Sequence, residues 1–305
     1  MKTNIGAAHE RIAGFVRQTP LLRLEPGALG VNAELFLKLE NLQVSGSFKI
    51  RGAINTVLSY PNEARGGLIA ASGGNHGLAV AFIARRMKLP ARIFVPSITS
   101  QAKRDLLRDL GAEVIEAGHN YSEARAAAQM YLASYDGLMI DAFESAQTLA
   151  GQGTIGPELE NLDLDAIALS VGGGGLAAGI AGWFESKVRL ICGEPRLAPT
   201  LHAAVVAGQP VDVETACLAA DALGCRRIGD LAFAQLARSR MRTVLVTEEA
   251  IREAQRDLWA TARLAVEPAA AVPIAALRAM QPEEIEGQRI AVILCGANVH
   301  PSEIF

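Results

Sequence analysis

Apolar positions along the chain switch between two periods. Residues 5–17 place apolar side chains every three to four positions, which predicts a helix ending before Thr19-Pro20, where the residue ahead of a proline is pushed toward extended backbone. Phe36, Leu37 and Leu39 read as the end of a strand, Asn41 to Gly46 as a turn, and a helix is expected from about Phe48 with Ser45 or Ser47 as its cap. Short apolar runs follow at 67–71, 91–95 and 112–116, separated by amphipathic stretches at 75–88, 99–109 and 122–134, with Gly111 as a C-cap after Leu110. A second set places strands at 138–142, 166–171, 188–193, 243–247 and 289–294, and helices at 145–160, 175–186, 248–264 and 268–280. Strands that alternate with helices imply parallel pairing, so the fold class is α/β. Residues 195–240 show no clear period. No repeat, low-complexity tract or free linker interrupts the chain, so its units are expected to be wound together.

Composition narrows the function. At 305 residues the chain fits about two domains on a prior of roughly 100–200 residues each. Half of its residues are apolar and 5% are aromatic, the balance of an α/β enzyme packed with Ala, Leu, Val and Ile. A net charge of −3 supplies no basic stripe, so no nucleic-acid partner is expected. Cys192, Cys217, Cys225 and Cys295 have no C-x-x-C spacing and the histidines show no H-E-x-x-H, so neither a metal site nor a disulfide framework is indicated. Free thiols and an N-terminus without a continuous apolar core point to the cytoplasm. Ala166 to Phe184 is uncharged long enough to suggest a membrane span, but its glycines, four of them consecutive, read as strand, loop and helix, so no membrane partner is expected.

The candidate chemistry sits on four strand-to-helix corners. In K-L-E-N-L-Q-V-S-G-S-F-K-I-R-G-A, Lys38 to Ala53, Lys49 falls in the first turn of a helix, where the dipole opposes a cation and favours the unprotonated amine that a Schiff-base lysine needs. A-S-G-G-N-H-G, Ala71 to Gly77, can turn backbone N–H groups of Gly73 and Gly74 toward a carboxylate, with Ser72 and Asn75 as further donors and His76 either beside them or simply packed. S-V-G-G-G-G-L, Ser170 to Leu176, offers Gly172, Gly173, Gly174 and Gly175 at the positive end of a helix, where a phosphate fits. It lacks the Lys-Ser or Lys-Thr of a nucleoside-triphosphate loop. A rival G-x-G-x-x-G at Gly151, Gly153 and Gly156 lies within a helical pattern with no strand before it. In L-C-G-A-N, Cys295 ends the last strand, at the carboxyl edge where open α/β sheets meet ligands, or else is packing filler. One lysine, a carboxylate nest, a phosphate nest and a strand-end donor describe a pyridoxal-phosphate pocket.

Together S-F-K-I-R-G-A, S-G-G-N-H-G, G-Q-G-T-I-G-P-E-L, S-V-G-G-G-G-L and C-G-A-N resemble, in order from about Thr19 to Asn298, the signature blocks of the serine/threonine dehydratases, pyridoxal-phosphate enzymes of the tryptophan-synthase-β-like fold. The resemblance implies two open, mostly parallel sheets with helices on both faces and the cofactor in the cleft between domains. The larger domain would be residues 1–51 and 138–305, the smaller 52–137. It also implies a homodimer and a small amino-acid substrate.

Residue by residue, the resemblance makes Lys49, following Phe48, the cofactor-bearing lysine and later the base at Cα. Asn75 would partner the cofactor's 3-hydroxyl, Gly172 to Gly175 with Leu176 would cradle its phosphate, and Cys295 would face the pyridine nitrogen. Ser72, Gly73, Gly74, Asn75 and His76 would take the substrate carboxylate. A neutral partner at the ring nitrogen leaves a weaker electron sink, which favours prompt β-elimination. Some relatives bind a cation through a Glu, a backbone carbonyl and an Asp; Glu194 and Ala198 match, but Thr200 stands in place of the Asp, so no divalent site is expected. No regulatory domain follows Phe305, which argues against the feedback-controlled type. Racemases of this family carry a serine where this chain has Gly73.

The expected activity is a dehydratase that converts a β-hydroxy-α-amino acid, of the threonine, serine, 3-hydroxyaspartate or a bulkier type, to a 2-oxo acid and ammonia. The rivals are a racemase or β-replacement enzyme of the same fold, and a catalytically silent amino-acid-binding protein, against which Lys49 argues. A nicotinamide dehydrogenase is weakened by the missing acidic residue after a strand-linked glycine loop.

Overall fold

A computed structural model describes residues 1–299. Six strands form the larger sheet: β1 (Leu21–Leu24), β2 (Glu34–Lys38), β7 (Ala166–Ser170), β8 (Arg189–Pro195), β9 (Met241–Val246) and β10 (Arg289–Ile293), in the order β1-β2-β10-β7-β8-β9. Only β1 runs antiparallel, at the edge, with Leu22 opposite Leu37; Val292 of β10 stands between Leu37 and Ala168. β7 is buried along its whole length and β10 beyond its first residue, as expected for parallel strands covered on both faces.

The smaller sheet, all parallel, has the order β5-β4-β3-β6: β3 is Leu68–Ala71, β4 Ala91–Val95, β5 Glu113–Glu116 and β6 Leu138–Met139. Its faces alternate with the two-residue period of a strand. Leu68, Ala70, Ile93 and Val95 pack with α2 (Lys49–Ser59) and α4 (Asn75–Met87), while Ile69, Ala71 and Phe94 pack with α6 (Tyr121–Leu132).

Several sequence boundaries shift. The first helix, α1, is Lys2–Ile12, and residues 13–16 form turns around Gly14. The strand expected at 138–142 is only Leu138–Met139, because the Asp141 carboxylate takes the N–H groups of Phe143 and Glu144 and turns the chain. Those two residues pair with Leu68 and Ile69, so position 138, assigned from sequence to the larger unit, belongs to the smaller sheet. The helix expected at 145–160 is two, α7 (Ala146–Gly153) and α8 (Ile155–Leu159), because Pro157 has no N–H to continue the ladder. The unread segment holds α10 (Thr200–Ala207), α11 (Ala220–Leu223) and α12 (Asp230–Leu236). The remaining helices are α3 (Pro61–Ala64), α5 (Gln101–Asp109), α9 (Gly175–Phe184), α13 (Glu248–Ala262) and α14 (Pro268–Arg278).

The rejected G-x-G-x-x-G has a packing role. A Cβ on Gly151 would come within 2.5 Å of the Gly52 Cα, and one on Gly179 within 2.5 Å of the Gly153 nitrogen, so the glycines let α2, α7 and α9 cross closely. No helix among the described residues is long and apolar enough to cross a membrane.

Candidate active site

β2, β10 and β7 are neighbours in the larger sheet, so their carboxyl ends deliver the Lys49 corner, Cys295 and the glycine loop to one place. β3 of the smaller sheet brings Ser72 to His76 against them, and Asn75 lines the same cavity as the other three. Phe48, Lys49, Gly172 to Leu176 and Cys295 line it too, together with Phe143, Ser170 and Leu223.

Lys49 is the first residue of α2, and the corner ahead of it is stapled to the end of β10. Asn41 N bonds Leu294 O, Phe48 N bonds Cys295 O at 3.0 Å, and Ser47 bridges Gly296. Neither expected serine caps the helix: its N-cap is Phe48, Ser45 Oγ donates to the Ser47 carbonyl, and Ser47 Oγ is buried without a partner. With its carboxylate-free cap, the N-terminus leaves nothing to offset the dipole at Lys49. The Lys49 amine donates to Ala142 O at 3.1 Å, and desolvation pushes it below its ordinary value.

Behind Lys49 the same corner carries a buried cluster of two cations and two anions. Arg51 donates to both oxygens of Glu40 at 2.7 Å and to Glu158 at 2.7 Å; Glu158 also pairs with Lys38, and Thr19 Oγ1 donates to Glu40 at 2.6 Å. Burial works against the Arg51 guanidinium and the Glu40 carboxylate alike, but each overcomes it for the other, so Arg51 is held above its ordinary value and Glu40 below. This cluster fixes the start of α2 relative to β2 and α8.

In the glycine loop, Gly174 has φ +86°, and a Cβ on Gly173 would meet the Phe143 ring at 2.5 Å. The loop is therefore glycine for close approach and for left-handed backbone. The N–H groups of Leu176 and Ala177 lie in the first turn of α9, where no intrahelical acceptor exists.

The Ser72 to His76 corner keeps fewer free donors than its sequence promises. The Gly74 N–H is spent on Ser72 Oγ at 3.2 Å, and a Cβ on Gly73 would strike Thr99 Cγ2 at 2.5 Å. Asn75 is buried, its amide nitrogen 2.8 and 2.9 Å from the two oxygens of Glu267 and its oxygen 2.7 Å from Asn298 Nδ2. His76 Nε2 lies 2.8 Å from the Ile140 carbonyl and so carries the proton; Nδ1 is buried and unpartnered. Burial, and then Lys49, push His76 down to about 4, so the ring is neutral.

Glu267 is the site residue that sequence reasoning missed. It is the N-cap of α14, just before Pro268, and its one signal was a lone charge inside an apolar run, A-V-E-P-A-A-A-V. Burial pushes its carboxyl up, and it accepts from Cys295 Sγ at 3.7 Å, which accepts in turn from Ser170 Oγ at 3.6 Å. Burial and then Glu267 hold the Cys295 thiol well above its usual range, so it is neutral. Phe143, also missed, lines both this cavity and a cleft of about 350 Å³ lined further by Tyr121, Arg125, Asp141 and Cys225.

Comparison with known proteins agrees with this geometry. The family described as pyridoxal-phosphate dependent enzyme matches residues 12–296. The chain belongs to this family. It is 37% identical over 303 residues to an L-threonine ammonia-lyase of Geobacter sulfurreducens, covering 97% of this chain and 75% of that protein. It spans only 56–62% of the length of several biosynthetic L-threonine dehydratases. Among solved structures, a threonine deaminase of T.th. superposes with a TM-score of 0.89 at 31% identity, covering 98% of each chain. Maize serine racemase superposes with a TM-score of 0.90 at 27% identity, covering 99% of this chain and 95% of that one. The two-sheet α/β fold and the use of pyridoxal phosphate thus hold for this chain, which is an enzyme.

The residues present fit that cofactor. The loop that any side chain would jam, the desolvated Lys49 amine and the neutral Cys295 thiol line one cavity, and the unpartnered Ser47 Oγ and His76 Nδ1 belong to the two corners that form it.

Proposed function

We propose that this chain is a pyridoxal-phosphate-dependent ammonia-lyase that removes water and then ammonia from a β-hydroxy-α-amino acid of the threonine or serine type. The observation that carries the reading is one cavity shared by Lys49, the glycine loop, Asn75 and a neutral strand-end thiol, in a chain whose relatives are named threonine ammonia-lyases. When bound, pyridoxal phosphate supplies the carbonyl that captures the substrate amine and the ring that takes up the electron pair released at Cα.

Gly172 to Leu176 would hold the phosphate on backbone N–H groups at the start of α9, and Lys49 would be the residue that anchors the cofactor. The corner from Ser72 to His76 would hold the substrate carboxylate on its remaining free N–H groups at the start of α4, and Asn75, fixed by Glu267 and Asn298, would stand beside the ring oxygen. The Lys49 amine, which burial makes less basic than an ordinary lysine, would remove the Cα proton. Cys295, its thiol neutral, would face the ring nitrogen, and a neutral partner there would make the ring a weaker electron sink, which favours elimination. What is released hydrolyses in water to the 2-oxo acid and ammonia.

In this reading residues 52–139 form a small domain inserted into a larger one, and the site lies between them. The working form is a homodimer in the cytoplasm. The test is a 2-oxo-acid assay across L-threonine, L-serine and L-threo-3-hydroxyaspartate, with borohydride reduction of the native enzyme. Cofactor mass is expected on the peptide containing Lys49, and Lys49→Ala is expected to lose both turnover and the visible absorbance band. Label on another lysine, or 2-oxo acid formed by Lys49→Ala, overturns the reading.

A further inference from the structure

β8 ends beneath the glycine loop on a fully buried acid. Glu194 accepts the N–H of Leu201 at 2.7 Å on one oxygen and the N–H of His202 at 2.9 Å on the other. Both donors lie in the first turn of α10, whose N–H groups have no carbonyl of their own. Thr200, the first residue of α10 and equally buried, donates its hydroxyl to the carbonyl of Gly172 at 2.8 Å and stands 3.2 Å from Glu194 Oε1.

These residues do not fit the cation implied by the resemblance. A hard cation wants six or more oxygens with free lone pairs. Here Glu194 already spends each of its oxygens on a helix N–H, and position 200 supplies a neutral hydroxyl where a second carboxylate would be needed to balance a divalent charge. The described residues hold no group of three His, Cys, Asp or Glu side chains that could bind a metal. The positive end of α10 and the Thr200 hydroxyl offset part of the cost of burying Glu194, whose carboxyl is still pushed by burial up to about 7.

We infer that Thr200 is a positioning residue that ties the glycine loop to α10 and Glu194 in place of a bound cation. The tie is short and buried at both ends. Without the hydroxyl, the Gly172 carbonyl is left buried without its partner, and the loop's first residue is free to rotate away from the position that aims the following N–H groups. The inference rests on the reading of this loop as the phosphate cradle.

The experiment measures cofactor retention by the holoenzyme on dilution, followed by its visible absorbance, in wild type, Thr200→Val and Thr200→Ser. Thr200→Val keeps the shape and removes the hydroxyl, and is expected to weaken pyridoxal phosphate binding by about tenfold, the scale of one buried hydrogen bond. Thr200→Ser is expected to restore it. Binding of pyridoxal, which lacks the phosphate, is expected to be the same in all three proteins, a pattern that general loosening of the fold would not produce. A chelator is expected to leave wild type unchanged. Thr200→Asp would place a second buried carboxylate beside Glu194, and only in that variant is added calcium expected to raise the melting temperature. Cofactor loss from wild type on chelation, or wild-type retention by Thr200→Val, overturns the inference. If wild type binds pyridoxal as tightly as its phosphate ester, it is the cradle reading that falls.

Discussion

Glu267 and Asn75 face each other across the two sheets: an asparagine at the corner of the smaller one gives its amide to both oxygens of a carboxylate at the start of α14, at 2.8 and 2.9 Å. Because Asn298 donates to the Asn75 oxygen while Glu267 accepts from its nitrogen, the amide cannot turn over. Glu267 thereby positions both Asn75 and Cys295, two of the residues that line the cavity. Glu267→Ala is expected to weaken cofactor binding by about tenfold or more, since hydrogen bonds to charged groups contribute about 1.5–3 kcal/mol. Glu267→Gln, which keeps an acceptor for Asn75, is expected to lose less. Fluorescence titration checks this; equal affinity in wild type and Glu267→Ala would reduce Glu267 to a helix cap.

The cluster behind Lys49 makes a prediction about stability. Arg51 is fully buried against Glu40 and Glu158, so its removal strands the Glu40 carboxylate in the interior and leaves Glu158 with Lys38 alone. Arg51→Ala is expected to destabilise the fold by about 3–5 kcal/mol, as for other buried pairs broken from one side. The combination Arg51→Met with Glu40→Gln is expected to recover part of that loss. Urea unfolding of wild type and these variants decides it: a loss below about 1 kcal/mol would place the cluster with ordinary surface pairs.

His76 contributes a pH dependence opposed in sign by that of Glu194, whose carboxyl is pushed by burial up to about 7. Its folded value lies near 4, below its ordinary 6.5, first because it is buried and then because Lys49 is near. At this position the unfolded chain therefore binds a proton that the folded one refuses, and the His76 contribution to stability is complete above about 6.5 and is lost as the pH drops toward 4. A gap of this size corresponds to about 3 kcal/mol over the whole window. His76→Gln keeps a donor for the Ile140 carbonyl and removes the titration, so its stability between these limits is expected to vary less with pH. Parallel slopes for the two proteins in urea melts from about pH 4.5 to 7 would show that other groups set the dependence.

The fold and the cofactor corners were legible because each is local. Lys49, the four glycines and Cys295 stand at strand ends, and strand ends are marked by the period of apolar residues and by turn chemistry in the same few positions. Glu267 was not legible, since its partners Asn75 and Cys295 are 192 and 28 positions away and only the sheet order brings them together. The buried cluster shows the same limit. Lys38, Glu40 and Arg51 all fall within the stretch around Lys49, yet their pairing depends on Glu158 from α8. The helix broken at Thr154 was read as one because α7 and α8 are both apolar on the buried side, and period alone does not register the N–H that Pro157 lacks. Residues 195–240 stayed unread because their helices are short and are positioned by contacts to the glycine loop, such as that of Thr200 with Gly172.

The last prediction separates elimination from inversion and turns on Gly73. Inverting Cα requires a proton delivered to the face opposite the one from which Lys49 withdraws it. At position 73, where the resemblance puts that donor in racemases, there is no side chain, so L-threonine or L-serine is expected to yield 2-oxo acid and ammonia with little inverted amino acid. The space a side chain would need is already filled: its Cβ would stand 2.5 Å from Thr99 Cγ2 and 2.9 Å from Thr99 Oγ1. Gly73→Ser alone must therefore push Thr99 and its loop aside, and is expected to lose activity of both kinds. With Thr99→Ala beside it, the serine has room, and the inverted fraction is expected to rise above that of wild type. Chiral chromatography of the three reactions reads the outcome directly. If wild type accumulates D-amino acid as fast as 2-oxo acid, some group already serves the opposite face, with the Thr99 hydroxyl the nearest to Gly73, and the assignment as an ammonia-lyase gives way to a racemase.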